Sequence, residues 1–336
     1  MFRKFLFLLF LLFFSLNSFA EKLIIEPDAG RAPFLNAIQN ASTSIGMVMY
    51  GLTDESFIDA LTRAKDHGKN VTILLEPAPY KSENENNRAI RQLRDENINL
   101  EWPDKSFKLV HQKTFIFDQQ KVIVMTFNLT HSSFKQERNF ALVLTDPAEI
   151  QEIVKVFHAD CAHEDTDVSN PHLIWSPDNS REKIISFIQS AKSEIKIYAQ
   201  DVTDYKIIGE LAKAARSGVE VKILLSASPE KLHSRKFAFL KKSGVIIQSS
   251  RHYYIHAKVM IVDQRQAILG SINFTAPSLD SNRELSVLTE DANVVNQLNS
   301  TFENDWHDTQ SLVKWKSEMR PMMRLLRQIK YFYRGD

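Results

Sequence analysis

The chain has 336 residues, 43% of them hydrophobic and 25% charged, which excludes a disordered polyelectrolyte and gives length enough for two cores of ordinary domain size. Lysine and arginine number 42 against 41 aspartates and glutamates, so the whole molecule lacks the basic excess that non-specific phosphate binding favours, although a local basic groove escapes such a count. The single cysteine, Cys161, rules out an intramolecular disulfide and reads as a buried apolar side chain.

The first element, over residues 1–20, places Arg3 and Lys4 before an unbroken apolar run from Phe5 to Phe14 and ends in small residues at Ser18 and Ala20. That order predicts a secretory signal peptide cleaved after Ala20 and a secreted or periplasmic protein. Ten apolar residues fall short of the roughly 20 that a spanning helix needs. Cleavage would remove two basic residues and no acidic one, turning the net charge from +1 to −1.

From Leu23 onward the chain repeats itself, and a repeat decides the fold before local structure does. LIIEPDAGR at Leu23 returns as LIWSPDNSR at Leu173, and the shift of 150 persists through Thr53/Thr203, Asp54/Asp204, Gly68/Gly218 and Leu75/Leu225. Five extra residues in the first copy then change the shift to 145, which holds without a gap from His111/His256 to Asp160/Asp305. Each copy alternates a helix (FLNAIQNA, KIISFIQSA), a short strand (SIGMVMYG, EIKIYAQD), a helix stopped by Gly68 or Gly218, and a buried strand (NVTILLEP, EVKILLSA). Such alternation predicts an α/β unit with a largely parallel core in a mixed sheet flanked by helices. Two units imply a pseudo-two-fold protein with domains over 21–162 and 171–310, joined by a polar linker from Cys161 to Pro171.

Both copies next reach a hairpin, HQKTFIFDQQKVIVMTFN and HAKVMIVDQRQAILGSIN. With Gln119 and Gln120 as a two-residue turn, Asp118 pairs with Lys121, Lys113 lies opposite Thr126, and His111 opposite Asn128. The same arithmetic sets Lys258 opposite Ser271 and His256 opposite Asn273. Each hairpin then gathers an imidazole, an ammonium, a hydroxyl and an amide on one face, while Asp118 and Asp263 fall on the other parity and read as residues tying down the hairpin. Lysine, amide and hydroxyl suit the non-bridging oxygens of a phosphate, and histidine can attack phosphorus or protonate a leaving oxygen near neutral pH. A lone H-x-K arises often by chance, but His, Lys, Asp, hydroxyl and Asn recur here at offsets 0, 2, 7, 15 and 17 in both copies.

These paired H-x-K-x-x-x-x-D segments, with GSINFTAPSLDSNREL after the second, resemble the phospholipase D superfamily. The resemblance covers nearly all of the chain after residue 20. It implies two α/β domains whose motifs meet at one interfacial site, a catalytic set of His111, Lys113, Asp118, His256, Lys258 and Asp263, and phosphate contacts from Lys113, Thr126, Asn128, Lys258, Ser271 and Asn273. It also implies a two-step reaction through a phosphohistidine with no metal or other cofactor. In that family a carboxylate at the position of Glu284 orients a catalytic histidine. The first copy departs from the pattern: Met125 and Thr126 stand where the second has Gly270 and Ser271, and Asn139 aligns with Glu284, leaving Glu137 as its only nearby substitute. Glu284 is therefore expected to reach across the domain interface to His111, making His111 the nucleophile and His256 the general acid; the reverse assignment stays open.

Members similar to this chain include phospholipases, phosphatidyltransferases such as cardiolipin synthases, and nucleases. A phospholipid substrate is the leading expectation; DNA or RNA cleavage and non-catalytic phosphate binding are the alternatives. Both motifs lie in one chain, so a monomer suffices. The stretch 311–336 carries seven basic and two acidic residues among Trp315, Tyr331, Phe332 and Tyr333, which suits an anionic membrane surface or nucleic acid as well as a terminal helix packed on the second domain. Arg251, His252, Tyr253 and Tyr254 precede the second motif as candidate cleft residues, and the remaining histidines show no metal-ligand spacing.

Overall fold

A computed structural model describes residues 21–226 and 232–308. The expected signal peptide, the basic aromatic tail and the last two residues of the expected second domain lie outside the described residues.

The first copy runs β1 (Lys22–Glu26), α1 (Ala32–Asn40), β2 (Ser44–Met49), α2 (Glu55–Asp66), β3 (Asn70–Leu75), α3 (Asn87–Asp95), β4 (Asn99–Glu101), β5 (Thr114–Phe117), β6 (Lys121–Met125), β7 (Glu137–Leu144) and α4 (Pro147–Ala162). The second runs β8 (Leu173–Ser176), α5 (Ser180–Ser190), β9 (Glu194–Ala199), α6 (Tyr205–Arg216), β10 (Glu220–Leu225), β11 (Ile246–Ser249), β12 (Tyr254–Ile255), β13 (Lys258–Val262), β14 (Gln266–Gly270) and β15 (Glu284–Thr289), followed by a helix over 292–308. Local chemistry explains the boundaries. Asp54 and Asp204 cap α2 and α6 by accepting backbone N–H groups of the first turn, and both helices end just before Gly68 and Gly218, whose φ values of +81° and +95° favour glycine.

The sheets have the same order, β1-β7-β6-β5-β2-β3-β4 and β8-β15-β14-β13-β9-β10-β11. Along these orders β2-β3-β4 and β9-β10-β11 pair in parallel, and the other four pairings in each sheet are antiparallel. The expected largely parallel core is thus corrected, while the mixed, helix-flanked architecture stands. Helical crossovers deliver β3 and β4, whereas β6 and β14 follow β5 and β13 through three-residue turns that can only reverse the chain.

Helices α1 to α3 cover one face of the first sheet, burying Phe34, Ile38, Phe57, Leu61 and Leu93. Helices α5 and α6 do the same for the second, with Phe187, Ile188, Ile207 and Leu211. The inner faces share a central core with α4 and the 292–308 helix, in which Phe140, Phe157, Trp175, Tyr198, Phe302 and Trp306 are buried. Two crossed ion-pair sets lock the halves together. Arg138 donates to Asp28 in its own half (2.7 Å) and Asp305 in the other (2.8 Å); Arg283 donates to Asp178 (2.7 Å) and, across the interface, Asp160 (2.9 Å).

Candidate active site

The hairpins that carry the motifs are one residue out of the expected register. Phe117 pairs with Lys121 and Val262 with Gln266, so each turn holds three residues, and Lys113 and Lys258 fall opposite Met125 and Gly270 rather than Thr126 and Ser271. The aspartates cause the difference. Asp118 and the next residue adopt φ near +54°, and its carboxylate accepts the N–H groups of Ser42 (2.8 Å), Thr43 (2.6 Å) and Ser44 (3.0 Å). Against the upward push of burial, these donors hold the carboxyl down at about 2. Asp263 repeats the arrangement on Lys192, Ser193 and Glu194 and is likewise held at about 2. Five residues of strand, about 16 Å, separate each aspartate from its lysine, so neither belongs to the polar patch.

The patch itself is assembled between the halves. His111 and Lys113 lead into β5, His256 and Lys258 into β13, and the central core brings these two strand ends face to face. Glu284 at the start of β15 is fully buried, and His111 Nδ1 lies 2.8 Å from its Oε2. Asn282 Nδ2 donates to its other oxygen at 3.0 Å. On the opposite side His256 Nδ1 meets a neutral acceptor, Asn139 Oδ1, at 3.3 Å. Asn139 Nδ2 in turn donates to Glu137 Oε2 at 2.9 Å, and that carboxylate stays 3.8 Å from the imidazole. The Ser132 and Ser133 hydroxyls hold Glu137 in place. Each half therefore contributes one amide and one carboxylate, in exchanged positions: Glu137-Arg138-Asn139 is Asn282-Arg283-Glu284 read backwards.

The lysines are as buried as core residues. Lys113 Nζ donates to the His111 carbonyl, and Lys258 Nζ donates to the carbonyls of His256 and, across the interface, Thr126 at 3.1 Å. Lys258 Nζ also stands 3.4 Å from both ring nitrogens of His256. Burial lowers the His111 pKa to about 4, with the Lys113 charge adding to the effect and Glu284 opposing it. Burial and the neighbouring ammoniums push His256 and Lys113 well below their ordinary values, and burial brings Lys258 to about 7. Glu284 is lowered despite its burial because His111 and Lys113 face it. Among the described residues, four basic groups thus crowd a largely buried space with Glu284 as the one carboxylate in direct contact, an arrangement that favours an incoming anion.

The hydroxyls expected at the phosphate are engaged with the neighbouring strands. Thr126 Oγ1 donates to Asn139 Oδ1 and accepts the Phe140 N–H, both at 3.0 Å; Ser271 Oγ donates to the Leu285 carbonyl (3.3 Å) and accepts its N–H (3.2 Å). Each hydroxyl fixes the strand that carries Asn139 or Glu284. Asn128 and Asn273 both leave the amide oxygen buried without a partner, at equivalent positions. Gly270 is required because a Cβ there would come within 2.3 Å of the Leu285 carbonyl; Met125, its counterpart, packs in the first outer core.

Three features had only faint signals in the sequence. Tyr50 lies edge-on to His111, with ring centroids 4.6 Å apart, where the shift of 150 puts Gln200 in the other half. Glu76 accepts the Val110 N–H just before His111, a task that Ser226 performs for Ile255. Asn282 was legible only in the reversed tripeptide. Of the candidate cleft residues, Tyr254 stacks on His256 at 6.4 Å and is half exposed, whereas Tyr253 lies beneath the Arg138 guanidinium. Cys161 is half buried, its thiol pushed up to about 12 by burial. Among the described residues no cluster of three His, Cys, Asp or Glu is placed to hold a metal ion, and no helix is long and apolar enough to cross a membrane.

A family model described as "Cardiolipin synthase, PLD-like domain" matches residues 34–161 and 184–306, one match in each half. The chain belongs to the phospholipase D superfamily. Cardiolipin synthase 1 of Staphylococcus epidermidis is 30% identical over 141 residues, 40% of this chain and 29% of that protein. Phospholipase D of Rickettsia bellii is 32% identical over 131 residues, 39% of this chain and 63% of that protein. The matched part therefore spans less than two thirds of either relative. Among solved structures, phosphatidylserine synthase of Haemophilus influenzae superposes with a TM-score of 0.64 at 12% identity, covering 91% of this chain and 94% of that one. Polyphosphate kinase of Porphyromonas gingivalis gives 0.66 at 16% identity over 84% of this chain and half of its own. At such identities the likeness concerns the fold, and it supports a duplicated phospholipase D-like architecture.

Proposed function

We propose that this phospholipase D superfamily chain is an exported phosphodiesterase that cleaves phospholipid headgroups, by hydrolysis or by transfer to another alcohol, through a phosphohistidine on His111. The observation that carries the assignment of roles is the unequal support of the two imidazoles: His111 Nδ1 faces a carboxylate at 2.8 Å, His256 Nδ1 an amide oxygen at 3.3 Å. Glu284 holds the Nδ1 proton, so the Nε2 lone pair of His111 is free to attack phosphorus, and it stabilises the positive charge that the ring acquires as the N–P bond forms.

The phosphorus–oxygen bond to the leaving alcohol breaks as that oxygen takes a proton from His256 Nε2. Water or a second alcohol then gives its proton back to His256 and attacks phosphorus, releasing His111. Lys113 and Lys258 face the non-bridging oxygens, and a turn of the Asn128 and Asn273 amides replaces each unpartnered oxygen with a further donor. The charge of the bound phosphate raises the pKa of His256 from its depressed resting value, so the acid becomes protonated only with substrate in place.

Relatives that bear the names of a cardiolipin synthase and a phospholipase D support a lipid substrate. The deciding experiment incubates the protein with mixed phospholipids and with DNA, in EDTA, and scores phosphatidate, transfer products and nicked DNA together. Lipid products support the proposal, nicked DNA alone replaces it with a nuclease, and absence of any phosphoenzyme leaves a phosphate-binding protein. Export is tested by the amino terminus of the protein recovered outside the cytoplasm, expected at Glu21. Monomeric mass in solution and vesicle binding lost on deleting 311–336 are expected alongside.

A further inference from the structure

We propose that Tyr50 is a positioning residue that makes the two halves of the site chemically unequal, its ring fixing the plane of His111 and holding the Lys113 ammonium toward the phosphate. The inference rests on the reading of His111 as nucleophile and deepens it. Tyr50 follows β2, whose neighbour β5 is preceded by His111 and Lys113. Its ring meets the His111 ring at an interplanar angle of 68° and a centroid separation of 4.6 Å. Lys113 Nζ stands 4.8 Å from the centre of the same ring. One aromatic ring thus serves both the proposed nucleophile and the lysine of the same motif.

In the second half Gln200 occupies the matching position, and among the described residues neither His256 nor Lys258 has an aromatic partner of this kind; the Tyr254 ring is 6.4 Å away on the exposed side. The phenol is committed elsewhere. Tyr50 Oη accepts the Tyr80 N–H at 2.7 Å, which pins the ring from its far edge. The chemistry is physical. An aromatic face attracts an ammonium through its quadrupole, more strongly where water is excluded, and keeps Lys113 charged against the burial and the Lys258 charge that drive it toward neutrality. The imidazole, held on one side by Glu284 and on the other by Tyr50, loses the freedom to rotate away from an in-line approach to phosphorus.

The test places phenylalanine and its mono-, di- and trifluorinated analogues at position 50, with Tyr50→Leu as the limit, and measures turnover of a soluble phosphodiester. Fluorine drains the π face while keeping the shape, so the series does not depend on a variant that fails to fold. Log kcat is expected to fall stepwise along the series, to about tenfold below Tyr50→Phe at its end, with KM within about threefold. The alkaline limb of the kcat profile should move to lower pH along the same series, because a weakened face releases the Lys113 proton sooner. A flat series with an unmoved limb overturns the proposal and leaves Tyr50 as packing. The parent reading fails separately: a phosphoenzyme that survives His111→Asn and is lost in His256→Asn refutes it whatever the fluorine series does.

Discussion

The His111 and His256 sides of the site use the same tripeptide in opposite directions, and a shift of two residues in one carboxylate separates their chemistry. On the His111 side the carboxylate touches the ring; on the His256 side an amide intervenes and the carboxylate stands 3.8 Å off. Duplication supplies two equivalent imidazoles. The proposed reaction needs one that gives electrons and one that gives a proton, and on that proposal exchanging the amide with the acid divides the roles without disturbing the Arg138 and Arg283 locks between them.

The largest effects break this comparison outright. His111→Asn is expected to lower kcat by a factor on the order of 10⁴ or more and to abolish the phosphoenzyme, while His256→Asn traps it when the substrate carries a good leaving group. Glu284→Gln should cost about 10³-fold in kcat, since it removes the charge that orients and stabilises His111, whereas Glu137→Gln should cost about tenfold. Equal losses from the two glutamine variants would refute the division of roles.

Stability offers the next test. Arg138 and Arg283 make crossed ion pairs with buried partners, so Asp305→Ala and Asp160→Ala should each strip an arginine of a cross-interface partner and cost about 3–5 kcal/mol by denaturant unfolding. The titration of the site predicts the direction with pH. Folding depresses the His111 pKa from about 6.5 to about 4, so the folded state binds fewer protons than the unfolded one within that window, and stability falls as the pH drops through it. The loss should be on the order of 3 kcal/mol for this group. Phosphate or tungstate, which lets the site accept protons, should raise the melting temperature more at pH 5 than at pH 8.

Much of this arrangement was legible in the sequence because duplication writes each functional position twice. The repeat located both motifs and the Asn139/Glu284 mismatch, and that mismatch, joined to the carboxylate role implied by the family resemblance, led to the cross-domain contact of Glu284 with His111. The hairpin register was not legible. Alternation fixes the parity of a strand but not the length of its turn, and the extra turn residue is stabilised by N–H groups of Ser42 to Ser44, about 75 positions earlier in the chain. Thr126 and Ser271 were placed with the phosphate for the same reason. The part played by Tyr50 was hidden because a tyrosine after a buried strand is common, and only its partners distinguish it.

The smallest expected effect sharpens a second contrast, between the two ends of each motif. His111 and Lys113 stand at the site, whereas Asp118 closes the turn at the far end of the hairpin by accepting backbone N–H groups, and Asp263 does so in the other half. A charged acceptor bound by several donors is worth about 2 kcal/mol. Asp118→Asn keeps one oxygen and the size of the side chain but loses the charge, so stability should fall by about 1–2 kcal/mol at neutral pH while kcat at a temperature well below melting changes less than about threefold. The loss should vanish in acid: the aspartate pKa is depressed on folding from 3.8 to about 2, so its contribution is present above the higher value and gone once the pH falls through the lower. A large fall in kcat with unchanged stability would mean instead that the turn reports to the reacting atoms along β5, and the spacing between His111 and Asp118, repeated in the second copy, would then be catalytic rather than architectural.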